Sequence, residues 1–240
     1  MTLDEILCSL FGNWHGVALE DNILSGLGSL PEGGVVHVLG FANRAALGVD
    51  QAIALASQVL EIIKTGDGAP ILLLIDSSSQ RMSRRDELMG LNECLAHLAK
   101  VLLFAEQAGH RTVGLLYGGS AAGAFIATAL ACGVLVALPG AHPEVMDLAS
   151  MARVTKLPQE VLQEKARTTP VFAPGLDNLV LAGAIAAVWD PNWPLSGQLA
   201  ALLARPVNGD GRGALGMARG GRSKALYIAD AVVAGAVAHG

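Results

Sequence analysis

Residues 112–140 read TVGLLYGGSAAGAFIATALACGVLVALPG and contain the pattern that decides the fold. A β-rich run at 112–117 leads through a pair of glycines into a helical pattern at 121–131, and a second β-rich run follows at 134–138. Strand, helix and strand in this order are typical of parallel pairing with a right-handed crossover. The segment therefore predicts an α/β fold.

The residues before this segment repeat the alternation. β-rich runs at 35–39 and 71–75 flank a helical pattern at 49–63, and the polar residues 76–85 predict a loop. A further helix, closed by Gly109, is predicted from the apolar stripe Leu88, Leu91, Leu95, Leu98, Leu102 and Ala105. Ser83 and Asp86 have the spacing of a capping box at its start.

After residue 139 the pattern loosens. Short helices are predicted at 144–154, 158–167 and 195–203, with a strand at 184–189. Residues 206–221 hold six glycines, which predicts a flexible loop or linker before a short Ala-rich helix. We therefore divide the chain into one domain over 1–205 and a Gly-rich segment with a C-terminal helix over 206–240.

The composition restricts the possible functions. The 240 residues carry 16 basic and 21 acidic side chains, a net charge of −5, and 52% of them are hydrophobic. These values exclude a disordered chain and a nucleic-acid binder that relies on basic charge. Charged residues make up 15%, against about 25% in a typical soluble domain. The shortfall indicates that another subunit covers part of the surface, so we expect an obligate complex.

Three further features bear on location and metal binding. Residues 112–143 contain no Asp, Glu, Lys or Arg, but glycines and a Pro-Gly pair divide them into pieces of strand and helix length, so we expect no membrane span. Asp4 and Glu5 stand where a secretion signal carries positive charge. The three cysteines show neither disulfide nor zinc spacing, and no other metal pattern is present. We expect a cytoplasmic protein with reduced thiols and no metal.

The glycine pair Gly118-Gly119 provides the first candidate site. A strand that turns sharply into a helix exposes peptide N–H groups that have no intrahelical acceptor and lie at the positive end of the helix dipole. Such donors can hold an oxyanion or an enolate. The same residues are also explained by a tight turn in a packed core, and both interpretations stay open. A phosphate-binding loop is excluded, because no Lys-Ser or Lys-Thr pair follows.

The same turn also approximates the nucleophile elbow of a hydrolase. Ser120 would be the nucleophile and His142 the base, with Asp147 or Asp177 to orient it. Against this interpretation, the second small residue of the elbow is Ala122 rather than glycine. A lone serine before an Ala-rich helix is also more often an N-cap.

The polar run 76–87, DSSSQRMSRRDE, provides the second candidate site. It follows the carboxyl end of a predicted strand, where open α/β sheets bind their ligands. Its arginines, Arg81, Arg84 and Arg85, could grip a carboxylate or a phosphate. A solvated loop whose charges cancel locally explains the same residues.

Three long motifs carry a resemblance to a known family: IDSSSQR at 75–81, GLLYGGSAAG at 114–123 and MDLASMARV at 146–154. Together with the helix that holds Gly90, they resemble the crotonase-like carboxyltransferases, and more closely the gamma subunits of biotin-independent malonate decarboxylase. The resemblance covers residues 30–205. It implies that the domain is a crotonase-like ββα superhelix, equivalent to one half of a carboxyltransferase.

The resemblance also implies a reaction and its partners. A malonyl thioester on an acyl carrier protein would lose CO₂ and leave the acetyl thioester, at an active site in the interface with a beta subunit. The arm of the carrier is a prosthetic group of the dephospho-CoA type, so this chain would carry no covalently bound cofactor and no metal. The implied partners are the beta subunit, the acyl carrier protein and the acyltransferase subunits.

The resemblance assigns roles to residues of both candidate sites. The N–H groups of Gly119 and Ser120 would stabilise the enolate, and Gly118 would shape the turn. Substrate binding would fall to Gly90, Leu91, Ser77, Ser78 and Arg81. The proton donor to the enolate stays open between Tyr117, His142 and a partner residue. Two other functions also stay open: a serine hydrolase and a non-catalytic scaffold for the beta subunit.

Overall fold

A computed structural model describes residues 1–13, 15–169, 174–206 and 209–239. The strands are β1 (Ala18–Glu20), β2 (Ile23–Ser29), β3 (Val35–Leu47), β4 (Ile71–Gln80), β5 (Thr112–Leu116), β6 (Gly119–Ala121), β7 (Val134–Ala137), β8 (His142–Glu144) and β9 (Ala187–Val188). The helices are α1 (Leu3–Phe11), α2 (Val49–Thr65), α3 (Arg84–Leu88), α4 (Leu91–Gln107), α5 (Ala122–Ala127), α6 (Leu148–Thr155), α7 (Gln159–Thr168), α8 (Leu176–Leu181), α9 (Leu195–Leu203), α10 (Arg212–Ala218) and α11 (Ala225–His239).

The main sheet has seven strands in the order β1-β2-β3-β4-β5-β7-β9. The first three strands pair antiparallel, and the strands from β3 to β9 pair parallel. β6 and β8 form a separate parallel pair. Two strands followed by a helix occur twice, as β5-β6-α5 and as β7-β8-α6. The predicted α/β class with parallel pairing is confirmed.

The central strand β4 is buried on both faces. Leu72 and Leu74 pack with α1 and α9 on one side of the sheet, while Ile71, Leu73 and Ile75 pack with α2 and α4 on the other. None of the five side chains is more than 1% exposed. A strand covered on both faces must be apolar throughout, which explains the unbroken run at the start of β4.

The predicted loop at 76–85 is wrong in its first half, because β4 continues to Gln80. β3 continues beside it, so Ala45 pairs with Ser77 and Leu47 with Gln80. Ser77 is 1% exposed although it is polar. Pairing with a neighbouring strand therefore outweighs the polar composition of this segment.

The predicted helix that included Leu88 is divided into α3 and α4. Gly90 has φ +78°, a left-handed conformation that interrupts the helix. Leu88 consequently lies outside the core with 77% of its surface exposed, whereas Leu98 of α4 is fully buried. The predicted start is confirmed, since the Ser83 hydroxyl accepts the N–H of Asp86 at 3.0 Å.

The prediction of one helix over 121–131 is also wrong. Residues 119–121 are extended and pair with β8, so α5 starts only at Ala122, and a 3₁₀ turn follows at Ala129–Ala131. The uncharged segment 112–143 is thus divided into short strands and helices. Among the residues that the structure describes, no helix is long and apolar enough to cross a membrane.

The prediction of a loop or linker at 206–221 is contradicted by α10, which lies within it. Gly216 and Gly221 approach the backbone carbonyls of Ala182 and Leu181 so closely that a Cβ would collide. Arg219 also donates three hydrogen bonds of 2.7–2.8 Å, one to the carbonyl of Val180 in α8 and two to the carbonyls of Ile185 and Ala186 just before β9. The glycines therefore permit close packing rather than flexibility.

Two leucine substitutions test this placement of the helices. We expect Leu98→Ala to lower the free energy of unfolding by about 2–5 kcal/mol, because it opens a cavity in the core. Leu88→Ala removes the same atoms from an exposed position, so its effect should stay within about 0.5 kcal/mol. Urea unfolding of the purified chain, followed by circular dichroism, measures both. Equal losses in the two variants would contradict the exposed position of Leu88.

Candidate active site

The polar end of β4 faces the turn between β5 and β6. Asp76 accepts hydrogen bonds on both carboxylate oxygens, Oδ1 from the N–H of Gly119 at 3.0 Å and Oδ2 from the N–H of Arg44 at 3.1 Å. A Cβ on Gly118 would collide with the same carboxylate, so this position requires glycine. Asp76 thus joins β3, β4 and the turn at one point. The N–H of Gly119, predicted as an enolate donor, is used inside the protein.

Ser120 lies within β6 and is not an N-cap. It is 1% exposed, and its Oγ lies 2.9 Å from Oγ of Ser77. Ser120 pairs with Pro143 of β8. Because proline has no N–H, the hydrogen bonds of the ladder at this pair must be formed by the N–H and C=O of Ser120. Ser77 and Ser120 are therefore brought together as predicted site residues, as a buried hydroxyl pair.

The sharp bend of this region falls at Ala122, the first residue of α5. Its φ of +50° is strained for a residue that carries a Cβ. The next N–H, that of Gly123, donates to Oε1 of Gln80 at 2.8 Å. A nucleophile elbow holds its serine at a strained strand-to-helix turn, but here the strained residue is alanine. The elbow can offer peptide groups and no nucleophile.

The residues suggested for a hydrolase do not form a triad. His142 is exposed, and its Nδ1 lies 2.8 Å from the carbonyl oxygen of Gly140. Asp147 caps α6 by accepting the N–H of Ser150 at 2.7 Å, a bond that lowers the pKa of Asp147. Ser120 is bonded to Ser77 instead of to an imidazole. This geometry speaks against the hydrolase interpretation.

Tyr117 stands at the start of the turn. Its hydroxyl donates to the carbonyl oxygen of Phe41 at 3.1 Å. Burial, and then the negative charge of Asp76, raise the pKa of Tyr117 far above its ordinary value. Tyr117 therefore stays protonated at neutral pH, with its proton directed at the backbone of β3.

Two of the arginines after β4 contact α2. Nη2 of Arg81 donates to Oε1 of Gln51 at 3.0 Å. Arg85 makes two bonds of 2.8 and 3.1 Å to the carboxylate of Asp50, and these bonds lower the pKa of Asp50. The charge of Arg85 is therefore balanced mainly by another element, while Asp86 of its own segment lies further away, with Oδ1 3.8 Å from Nη1 of Arg85. Arg81 keeps its predicted role in substrate binding as a prediction.

Gly90 and Leu91 lie at the junction of α3 and α4. The N–H of Gly90 donates to the carbonyl oxygen of Glu87 at 3.2 Å, and α4 begins at Leu91. First-turn N–H groups of a helix have no intrahelical acceptor. The late helix start that this second donor site requires is present, and its contact with substrate stays a prediction.

Asp76 and Gln80 are the functional candidates that the sequence analysis missed. Both belong to the polar run after the apolar half of β4, and each accepts an N–H from a segment 43 residues further along the chain. The only signal for them in the sequence is their position just beyond a fully apolar strand. Among the residues described, no three His, Cys, Asp or Glu side chains are placed to hold a metal ion.

Comparison with protein families gives one match that spans most of the chain. The malonate decarboxylase gamma subunit family (MdcE) matches residues 42–236. The malonyl-S-ACP:biotin-protein carboxyltransferase MADD of Malonomonas rubra is 28% identical in an alignment of 196 residues, and the match covers 73% of this chain and 67% of that protein. A Pseudomonas malonate decarboxylase hetero-tetramer solved with coenzyme A has a TM-score of 0.73 at 24% identity, over 98% of both chains. The Pseudomonas MdcD–MdcE hetero-dimer has a TM-score of 0.69 at 24% identity, over 87% of this chain and 93% of that one.

The buried hydroxyl pair can be tested by stability alone. Ser77→Ala and Ser120→Ala should each lower the free energy of unfolding by about 1–3 kcal/mol, because each leaves a buried hydroxyl without its partner. The double variant should lose less than the sum, since no unpaired hydroxyl remains. Urea unfolding of all four forms measures the coupling. Strictly additive losses would show that the two hydroxyls do not interact.

Proposed function

This chain belongs to the malonate decarboxylase gamma subunit family, and we propose that it acts with a beta-type subunit to remove CO₂ from a malonyl thioester. The malonyl group is carried on an acyl carrier protein by an arm of the dephospho-CoA type and loaded by an acyltransferase subunit. Uptake of one proton leaves the acetyl thioester. The family match over residues 42–236 carries the proposal, because it includes β4, β6 and α5 and hence the whole candidate site.

The chemistry requires donors for one oxygen atom. When the C–C bond to the carboxylate breaks, its electron pair moves into the thioester, and negative charge develops on the thioester oxygen as an enolate. A preorganised peptide N–H directed at that oxygen contributes about 3 kcal/mol to lowering the barrier. A site poor in water favours the departure of neutral CO₂ from a charged carboxylate.

The elbow between β6 and α5 is the proposed place of this oxygen. The N–H of Gly119 is held by Asp76 and that of Gly123 by Gln80, so these two donors are occupied. We therefore assign the enolate to the peptide groups around Ala122, with Gly118 and Ser120 shaping the strand before them. The strained backbone at Ala122 is typical of a functional turn.

The other predicted residues take supporting roles in this proposal. The first turn of α4 at Leu91, after the left-handed Gly90, provides the second set of donors. Ser77 is buried against Ser120 and supports β6 without touching substrate. Ser78 and Arg81 follow at the end of β4, where an anionic group of the substrate or its arm would bind.

A second candidate function is carboxyl transfer to a biotin protein. It is favoured by the relative from Malonomonas rubra, which is named for that transfer and is 28% identical. Both reactions begin with cleavage of the same C–C bond of a malonyl thioester. They differ in what receives the carboxyl group, so biotin dependence separates them.

The helix α11 supports the need for a partner. Apolar side chains lie on all of its sides, with Asp230 as the one charged residue in 225–238, and Tyr227, Ile228, Val232, Val233 and Val237 are each at least 56% exposed. A helix that is hydrophobic all round is normally buried. The family match extends to residue 236, so most of α11 belongs to the region shared with gamma subunits. We propose that the beta-type subunit covers it.

A charge on α11 should weaken this assembly. We expect Val233→Asp to reduce co-purification with a co-expressed beta-type subunit at least tenfold, because a carboxylate would be buried without a partner. Val35→Asp is the matched control, since Val35 is an exposed valine at the far end of β3. Tandem affinity purification with quantified subunit ratios measures both. Retention of the partner by Val233→Asp would remove α11 from the interface.

The proposed reaction is tested with malonyl-CoA as the simplest thioester. We expect CO₂ release from the co-expressed beta–gamma pair and none from this chain alone, measured by a coupled CO₂ assay and by mass spectrometry of the acetyl product. Ser120→Ala should keep at least a tenth of the rate, because the peptide N–H groups around Ala122 survive this change. Loss of all turnover in that variant would favour the hydrolase.

Two further measurements separate the remaining alternatives. Addition of avidin should leave the rate unchanged, whereas carboxyl transfer to a biotin protein would be blocked. Gly119→Val should lower the rate while the pair still assembles, because its side chain would press on the carbonyl of Ser77 and the ring of His142. A normal rate in that variant would support a scaffold without catalytic function.

A further inference from the structure

Asp76 binds the backbone of Gly119, three residues before the proposed enolate site at Ala122. Its two carboxylate oxygens accept the N–H groups of Gly119 and Arg44, on two segments that are otherwise far apart in the sequence. We propose that Asp76 is the positioning residue of the site and that it acts through the backbone of β6 on the elbow at Ala122. This inference rests on the proposed decarboxylation for its kinetic consequence.

The first segment held by Asp76 is a bend within β3. Asn43 and Arg44 have φ values of +59° and +53°, two consecutive left-handed residues that interrupt the register of β3 with β4. Such residues each cost about 1–3 kcal/mol and persist only where surrounding contacts hold them. The contacts here are the bond from Arg44 to Asp76 and the 2.8 Å bond from Asn43 to Asn22.

The second segment is the turn into β6. The N–H groups of Tyr117 and Gly118 both donate to the carbonyl oxygen of Ile75, one residue before Asp76. Gly119 then donates to Asp76 itself, and the strained elbow follows three residues later. Because this path is short and its first three N–H groups are bonded to Ile75 and Asp76, a shift of Asp76 moves the peptide groups of the elbow.

A carboxylate is a surprising neighbour for an enolate, since like charges repel. The negative charge of Asp76 is stabilised by two backbone N–H donors, those of Gly119 and Arg44. Charge-assisted hydrogen bonds of this kind are about twice as strong as neutral ones. Asparagine has the same shape but presents one oxygen and one NH₂ group. In Asp76→Asn, one of the two N–H groups must therefore face another donor.

The experiment uses Asp76→Asn with Asp67→Asn as a matched control. Asp67 lies before the opposite end of β4 and also accepts a backbone N–H, that of Ala69, at 2.8 Å. In the beta–gamma pair, we expect Asp76→Asn to lower kcat for malonyl-CoA about 10- to 100-fold with KM within threefold, because misplaced groups slow the chemical step. The control should keep kcat within twofold.

Hydrogen exchange of this chain alone tests whether Asp76 holds the two segments, without any assumption about the reaction. Peptides that contain Arg44 and Gly119 should exchange at least tenfold faster in Asp76→Asn than in the wild type, and Asp67→Asn should leave them unchanged. If the wild-type pair proves inactive on malonyl-CoA, the proposed function fails, and this exchange result still decides whether Asp76 holds the two segments.

Gly118→Ala provides a second route to the same contact. Its Cβ would push against the Asp76 carboxylate. The variant therefore disturbs the two hydrogen bonds that Asp76 accepts without changing the charge of Asp76. If both variants act through Asp76, the double variant should lose no more kcat than the worse single variant. Multiplicative losses, an equal rise of KM, or a kcat that stays constant or increases in Asp76→Asn would each overturn the proposal. An increased kcat would mean that the freed N–H of Gly119 serves the substrate.

Discussion

The pairing of β4 between β3 and β5 is the constraint on which the rest of the molecule depends. Its first half is buried on both faces and holds the two hydrophobic clusters together. Because β3 extends alongside it, β4 continues past Ile75 and carries polar side chains into a region where Ser77 is buried and Asp76 and Gln80 are half-buried. Buried polar groups need hydrogen-bond partners. Asp76, Ser77 and Gln80 find theirs on β6 and α5, and these contacts create the candidate site.

Local patterns in the sequence were sufficient for the elements that pack through apolar side chains. The helix predicted at 195–203 matches α9, and the strands at 112–117 and 134–138 match β5 and β7 within one residue. The errors fall where long-range contacts decide. Polar residues 76–80 form a strand because β3 lies beside them, and 119–121 are extended because β8 pairs with them. Neither partner can be read from the residues themselves.

The candidate site shows the same difference between features that depend on local sequence and features that depend on long-range contacts. The glycine pair correctly marked a turn, because glycine permits the close approach of Asp76 to Gly118, but this turn leads into β6 and not directly into a helix. The sequence could not show that the N–H of Gly119 is already bonded, since its acceptor lies 43 residues earlier. For the same reason Ser120 resembled an elbow nucleophile, although the strained turn falls at Ala122 and the serine is closed off against Ser77.

Backbone strain gives an independent argument for the location of function. Six described residues other than glycine have positive φ, and three of them, Asn43, Arg44 and Ala122, lie at the carboxyl end of the parallel strands. Two others, Asp21 and Asn22, form the two-residue hairpin between β1 and β2, where this conformation is normal. The three near the site have no such local explanation.

A fold can hold about 1–3 kcal/mol of strain per residue only where other contacts fix the geometry. Asp76 fixes Arg44 and the turn before β6, and Gln80 fixes Gly123 after Ala122. The strained residues are thus linked through hydrogen bonds that Asp76 and Gln80 accept, as expected of a site whose peptide groups must be rigid before the substrate arrives.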